Sequence, residues 1–260
     1  MEYVGKTEAG QPLLHRATTQ EGGVLNNIVL NIPHTSINGI FDTTIGRWAH
    51  SSFFLNDCVK DWTDWYVDYL FCNDRATAVV FPYSRFVCDA ERLIDDEMEK
   101  VGQGIIYTEY GIYKRGELSE EARRILLGIW QSHQDQLAQC INTSTNPTIL
   151  LDCHSFPQRM SHYDICIGYN EDWSYHHKLV AMIRDEFKHS GYSVGINTPF
   201  SNSITPKANK PYLSVMIEVN KRIYLNEDIL HLNPNVRQAM RWFNTIDRLY
   251  QKIQAFRFND

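Results

Sequence analysis

The stretch Thr148-Ile149-Leu150-Leu151-Asp152-Cys153-His154-Ser155 decides the fold, because an apolar run suited to a buried strand ends in a carboxylate, an imidazole and a hydroxyl. Open α/β sheets carry their chemistry at the carboxyl ends of their strands. An earlier apolar run, Val24-Leu25 and Ile28-Val29-Leu30, ends the same way at Pro33-His34-Thr35-Ser36. Two histidines are therefore expected on neighbouring strands at one sheet edge, where they can share a metal ion. The alternative for either one alone is a hydrogen-bonded histidine near a strand end.

Working outward, further strands are expected at 78–81, 164–168, 192–196 and 213–219. Helices are expected at 53–71, from a Ser119 cap to about 141, at 173–189 and from about 234 to 256. Strands alternating with helices imply an α/β architecture with a mostly parallel sheet covered by helices. With 260 residues, one large domain over 1–260 is expected, with the polar leader 1–23 as an edge hairpin or arm. A polar loop with Pro199, Pro206 and Pro211 precedes the strand at 213–219.

Hydrophobic residues at 43% and charged residues at 22% are ordinary globular usage, which excludes disordered and fibrous classes. A net charge of -6 argues against nucleic acid as partner and favours a small molecule or peptide. Cys58, Cys72, Cys88, Cys140, Cys153 and Cys166 form no Cys-x-x-Cys pair and read as reduced thiols. With no signal-peptide core and no run of membrane-spanning length, a soluble cytoplasmic protein is expected.

A hydrolytic metal site needs about three protein ligands and an open position. His34 and His154 supply two. Asp61, Asp64 and Asp68 offer a carboxylate at helical spacing, with Asp64 and Asp68 on one helix face. Asp64 is preferred for its apolar and aromatic neighbours; the alternative is a solvated acidic face. In Ser84-Arg85-Phe86-Val87-Cys88-Asp89-Ala90-Glu91-Arg92, Arg85 and Arg92 are candidate grips for substrate carboxylates, oriented by Asp89, or else members of an internal ion-pair lattice. Glu218 interrupts the apolar run 215–219, and burial would raise its pKa toward that of a general base. Its alternative is a salt bridge to Arg222 or Arg85. Asn197, Asn202 and Asn209 are either substrate contacts or turn residues. Cys153 and His154 point to opposite faces of an extended segment, which discounts a cysteine nucleophile. Ser36 and Ser155 lack a nucleophile elbow.

Taken in order, Asn31-Ile32-Pro33-His34-Thr35-Ser36, Thr63-Asp64-Trp65-Tyr66-Val67-Asp68, the segment from Ser84 to Arg92, Leu151-Asp152-Cys153-His154-Ser155-Phe156 and Ile217-Glu218-Val219-Asn220-Lys221-Arg222 resemble the N-formylglutamate amidohydrolase family. The resemblance implies a three-layer fold like that of the zinc carboxypeptidases, with helices on both sides of a mixed sheet. It also implies release of formate from N-formyl-L-glutamate in histidine breakdown, with one divalent ion, expected to be Zn²⁺. Under it His34 and His154 are metal ligands and Glu218 is the general base; Asp64 as third ligand is inferred from position. Arg85 and Arg92 would bind substrate carboxylates or hold the site together, and an arginine would stabilise the oxyanion. Asn197 and Asn202 belong to the expected substrate contacts. Two departures bear on specificity: Asn202-Ser203 stands where the family has a Gly-Gly pair, and Glu91 stands where it commonly has Asn. Two other readings stay open, a hydrolase of another N-acyl amino acid or peptide amide, and a non-catalytic binder of acidic metabolites.

Overall fold

The computed structural model describes residues 25–42, 44, 45, 48 and 58–258, so the expected arm at 1–23 lies outside the described residues. The strands are β1 (Asn27–Ile32), β2 (Thr77–Val80), β3 (Glu109–Tyr110), β4 (Tyr113–Lys114), β5 (Thr148–Phe156), β6 (Ile165–Gly168), β7 (Val194–Ile196), β8 (Tyr212–Asn220), β9 (Leu225–Asn226) and β10 (His231–Leu232). The helices are α1 (Lys60–Trp62), α2 (Val67–Phe71), α3 (Glu120–Thr143), α4 (His177–His189) and α5 (Val236–Ala255).

Six strands form one sheet in the order β2-β1-β5-β8-β6-β7, while β3 pairs with β4 and β9 with β10 as separate ribbons. All sheet pairings are parallel except β8 with β6, which makes the sheet mixed and mostly parallel. Central β5 and β8 are buried at every position. Helices cover both faces, so these strands read as near-continuous apolar runs.

Alternation along the strands assigns the faces. Ile28, Leu30, Ile32, Ile149, Leu151, Cys153, Val215 and Ile217 join one core with residues of α2, α4 and α5. Val29 and Leu150 point the other way, against Leu137 and Ile141 of α3. Each fully buried Leu, Ile or Phe contributes roughly 1.5–3 kcal/mol. By the same parity Asn31, Asp152, His154 and Glu218 lie on the α3 face.

Several boundaries differ from expectation for local reasons. β5 continues through Phe156 because β8 pairs with all nine of its residues, so His154 sits inside a strand. β6 begins after Asp164, whose carboxylate caps the Ser193 backbone amide and pairs with Arg222. The helix expected at 173–189 begins only at His177, because Asp172 holds Ser174 in a turn.

The largest correction concerns the helix expected at 53–71, whose first part lies outside the described residues. Within them it is two short pieces, α1 and α2, broken at Thr63–Tyr66. Thr63 is extended (φ -83°, ψ 132°) and Tyr66 is left-handed (φ 62°). Continuing the helix would send the Asp64 amide to the Lys60 carbonyl. Instead the Trp65 indole donates to that carbonyl at 2.8 Å, the buried Lys221 ammonium donates to the Asp61 carbonyl, and the Asp64 amide donates to the His34 carbonyl at 2.9 Å. The carbonyls at the end of α1 are thus satisfied from outside.

Candidate metal centre

That break places Asp64 beside the loop that follows β1. Its Oδ2 lies 3.7 Å from His34 Nδ1 and 3.2 Å from His154 Nδ1, with the two imidazole centroids 5.1 Å apart. All three residues are buried, and one ligand atom from each lies within 4.8 Å of the others. Asp68, the alternative from sequence, instead accepts from the Thr35 hydroxyl at 3.2 Å. Asp61 is turned away, in an ion pair with Arg159 at 2.7 Å.

Each imidazole is held from behind. His34 Nε2–H donates to Asp89 Oδ1 at 2.7 Å, and His154 Nε2–H donates to Asp152 Oδ1 at 2.9 Å. A carboxylate only accepts, so in neutral histidine these bonds leave each Nδ1 as a lone pair aimed toward Asp64. A lone pair facing a carboxylate is repulsive unless a cation lies between them, either a metal ion or the proton of an imidazolium. The donor set fits a divalent metal: two imidazoles and a carboxylate, each imidazole braced by a second carboxylate. His34 Nδ1 is buried and has no hydrogen-bond partner among the described residues.

Charge surrounds the centre. Glu91 spans the far edges of both rings, with carboxylate oxygens 3.8 Å from His34 Nε2 and 3.8 Å from His154 Nε2. Burial alone would raise the Asp64 carboxyl, but His154 and His34 outweigh it and hold Asp64 well below the ordinary carboxylate range. Burial would likewise lower His154, yet Asp152, Glu91 and Asp64 hold it well above the usual histidine value.

Glu218 faces His154 across the β5–β8 ladder. Its Oε2 is buried without a hydrogen-bond partner among the described residues. Burial first, then the charges of Asp64 and Glu91, push its pKa up to about 8 against the opposing pull of His154. The salt bridge to Arg222 allowed by sequence does not form, since Arg222 pairs with Asp164 at 2.8 Å. Arg85 donates to Asp89 Oδ2 at 3.1 Å and to the Tyr107 hydroxyl at 3.2 Å, leaving its buried Nε without a partner among the described residues. Arg92 lies 3.9 Å from Asp89 and donates to the Gln103 carbonyl. The arginine-aspartate lattice is therefore real, and the Arg85 Nε–H lies beyond it.

Asn197 and Asn202 both have left-handed backbones on the loop after β7. Asn197 Oδ1 accepts from the Tyr169 amide at 3.0 Å, while Asn202 is exposed. Asn209 donates its backbone amide to Asn142 at 2.7 Å, away from the centre. The same loop touches the site elsewhere, because the Ile204 amide donates to Asp152 Oδ2 at 2.9 Å. Three contributions escaped the sequence reading: Asp89 and Asp152 as braces of the imidazoles, and His133 of α3, whose Nε2 lies 2.7 Å from Asn31 Oδ1. The spacing His133, Leu137, Ile141 was the available signal for the last, since it puts His133 on the sheet-facing stripe. An apolar cavity of about 370 Å³ near Tyr69, Trp242 and Phe243 shares no residue with this centre.

No helix among the described residues is long and apolar enough to cross a membrane. No curated protein sequence matches the chain. Among solved structures, it is similar to an N-formylglutamate amidohydrolase from Ralstonia eutropha JMP134, with TM-score 0.71 and 17% identity over 94% of this chain and 98% of that one. A gene product of Agrobacterium tumefaciens gives TM-score 0.61 and 18% identity, over 88% of this chain and 91% of that one. At these identities the likeness establishes the shared α/β fold. The profile of the N-formylglutamate amidohydrolase family matches residues 27–225, a span that contains every residue of the centre, and the chain belongs to that family of amide-hydrolysing enzymes.

Proposed function

We propose that this amidohydrolase is metal-dependent and hydrolyses N-formyl-L-glutamate to formate and L-glutamate. The observation that carries the reading is the convergence of His34, Asp64 and His154 beside the unpartnered carboxylate of Glu218. Support for the substrate comes from the family and from the name of the Ralstonia relative.

His34, Asp64 and His154 would hold the ion, with zinc favoured by an imidazole and carboxylate set. When bound, such an ion lowers the pKa of water and polarises the amide carbonyl. Glu218 takes the proton from the attacking water and returns it to the leaving nitrogen, a role suited to a buried carboxylate of raised pKa. Arg85 offers its unpartnered Nε–H to the oxyanion or a substrate carboxylate. Arg92, steadied by Asp89, adds positive charge for the same carboxylates. Asn202 meets substrate from the exposed loop, and Asn197 shapes that loop.

The test is formate release from N-formyl-L-glutamate by purified protein, after chelation and after Zn²⁺ is restored. Activity that vanishes with the metal and returns with it supports the proposal. Full activity in metal-stripped protein would remove the metal from it. Turnover of N-acetyl or peptide substrates with none of the formyl compound would move the substrate assignment.

A further inference from the structure

The brace behind His154 does not end at Asp152. Asp152 Oδ1 also accepts from Asn31 Nδ2 at 2.7 Å, and Asn31 Oδ1 lies 2.7 Å from His133 Nε2. His133, Asn31, Asp152 and His154 are all buried. We propose that His133 is a positioning residue for the metal centre, acting through Asn31 and Asp152 on the orientation of His154. The proposal rests on the metal-site reading given above.

The argument follows from donor and acceptor capacity. Asp152 accepts only, so Asn31 must present its NH₂ to Asp152 and its oxygen to His133. His133 Nε2 must therefore carry the proton. Each link fixes the next: the imidazole sets the Asn31 amide, the amide holds one oxygen of Asp152, and that oxygen sets the His154 ring. Without His133 the buried Asn31 oxygen loses its donor, and the amide, held at one end only, can tilt and loosen its bond to Asp152. The opposing Asp152 oxygen is tied to the Ile204 amide, so the carboxylate cannot swing away to compensate without breaking that bond. His133 itself is fixed edge-on against Phe81, with centroids 5.3 Å apart.

The experiment measures the Zn²⁺ dissociation constant by competition with a chromophoric chelator, and the melting of the metal-free protein alongside. His133→Leu is expected to weaken Zn²⁺ binding by about 10–100-fold, the usual effect of losing an outer partner of a metal-ligating histidine. His133→Gln keeps a donor for Asn31 and should stay within about 3-fold of the parent. Asn31→Ala should weaken binding as His133→Leu does, and the double variant should be no weaker than either single one, because both cut one chain. Unchanged affinity in a folded His133→Leu protein overturns the proposal, as does equal loss in the Leu and Gln variants. If His133→Leu does not fold, Asn31→Ala decides, and unchanged affinity there overturns it. Failure of the parent protein to bind Zn²⁺ would instead strike the metal-site reading itself.

Discussion

His154 Nδ1 stands 3.2 Å from Asp64 Oδ2, joining a central strand to a broken helix 90 residues away in the chain. The contact exists because two side-chain donors, the Trp65 indole within the break and the distant Lys221 ammonium, take the carbonyls that a continuous helix would have used.

Asp64→Asn keeps the shape of the side chain and removes its charge, so Zn²⁺ affinity should fall by at least about 10-fold. Asp68→Asn should leave it unchanged, since Asp68 meets Thr35 and not the histidines. Metal content after equilibrium dialysis checks both. His34→Ala should lose metal and activity together; a fully metallated His34→Ala protein would contradict the ligand set.

Glu218→Gln should retain metal and cut kcat by about 10²–10⁴, the usual worth of a general base. Formate release at saturating substrate, with zinc content measured on the same sample, separates this from loss of the ion. Near-parental kcat would take Glu218 out of proton transfer.

Burial dominates the titration of His133, pushing its pKa down to about 3 against the opposing charge of Asp152. Between about 3 and 6.5 the unfolded chain binds a proton there that the folded protein does not. The contribution of His133 to the stability of the metal-free protein should therefore be fullest above pH 6.5 and shrink as pH drops, by up to ~1.4 kcal/mol per unit. Urea melts across that window should show a shallower slope for His133→Gln. Equal slopes in the two proteins would refute the assignment.

A methyl group on Gly168 would lie 2.6 Å from the Asn202 carbonyl oxygen and 2.3 Å from Met216 Cε. The methionine can yield but the backbone has less room, so Gly168→Ala should cost about 1–3 kcal/mol in denaturant melts. An unaltered midpoint would show that the loop moves freely.

The sheet was legible because β5 and β8, covered on both faces, read as apolar runs, and His34 and His154 were legible as breaks at the ends of such runs. Glu218 was visible for the same reason, a charge within a buried strand. Asp64 was reached through helical spacing, yet its position comes from the interruption of that helix. Helical periodicity cannot report this, because the competing donors lie on Trp65 and Lys221. Asp89 and Asp152 were in view, but their partners are set by three-dimensional contact. His133 looked like one polar residue on a long amphipathic helix. Only the parity of β1 and β5 reveals that Asn31 faces it.

The β5–β8 ladder runs without interruption past His154 and Glu218, which are Cα partners. A slip of one residue in either strand would turn its side chain into the opposite core. The proposed ligand and the proposed base are thus cast as a single rigid unit, their spacing inherited from the main chain. New substrate preferences in this scaffold must then be written on the connecting segments, while the hydrolytic machinery tolerates little drift.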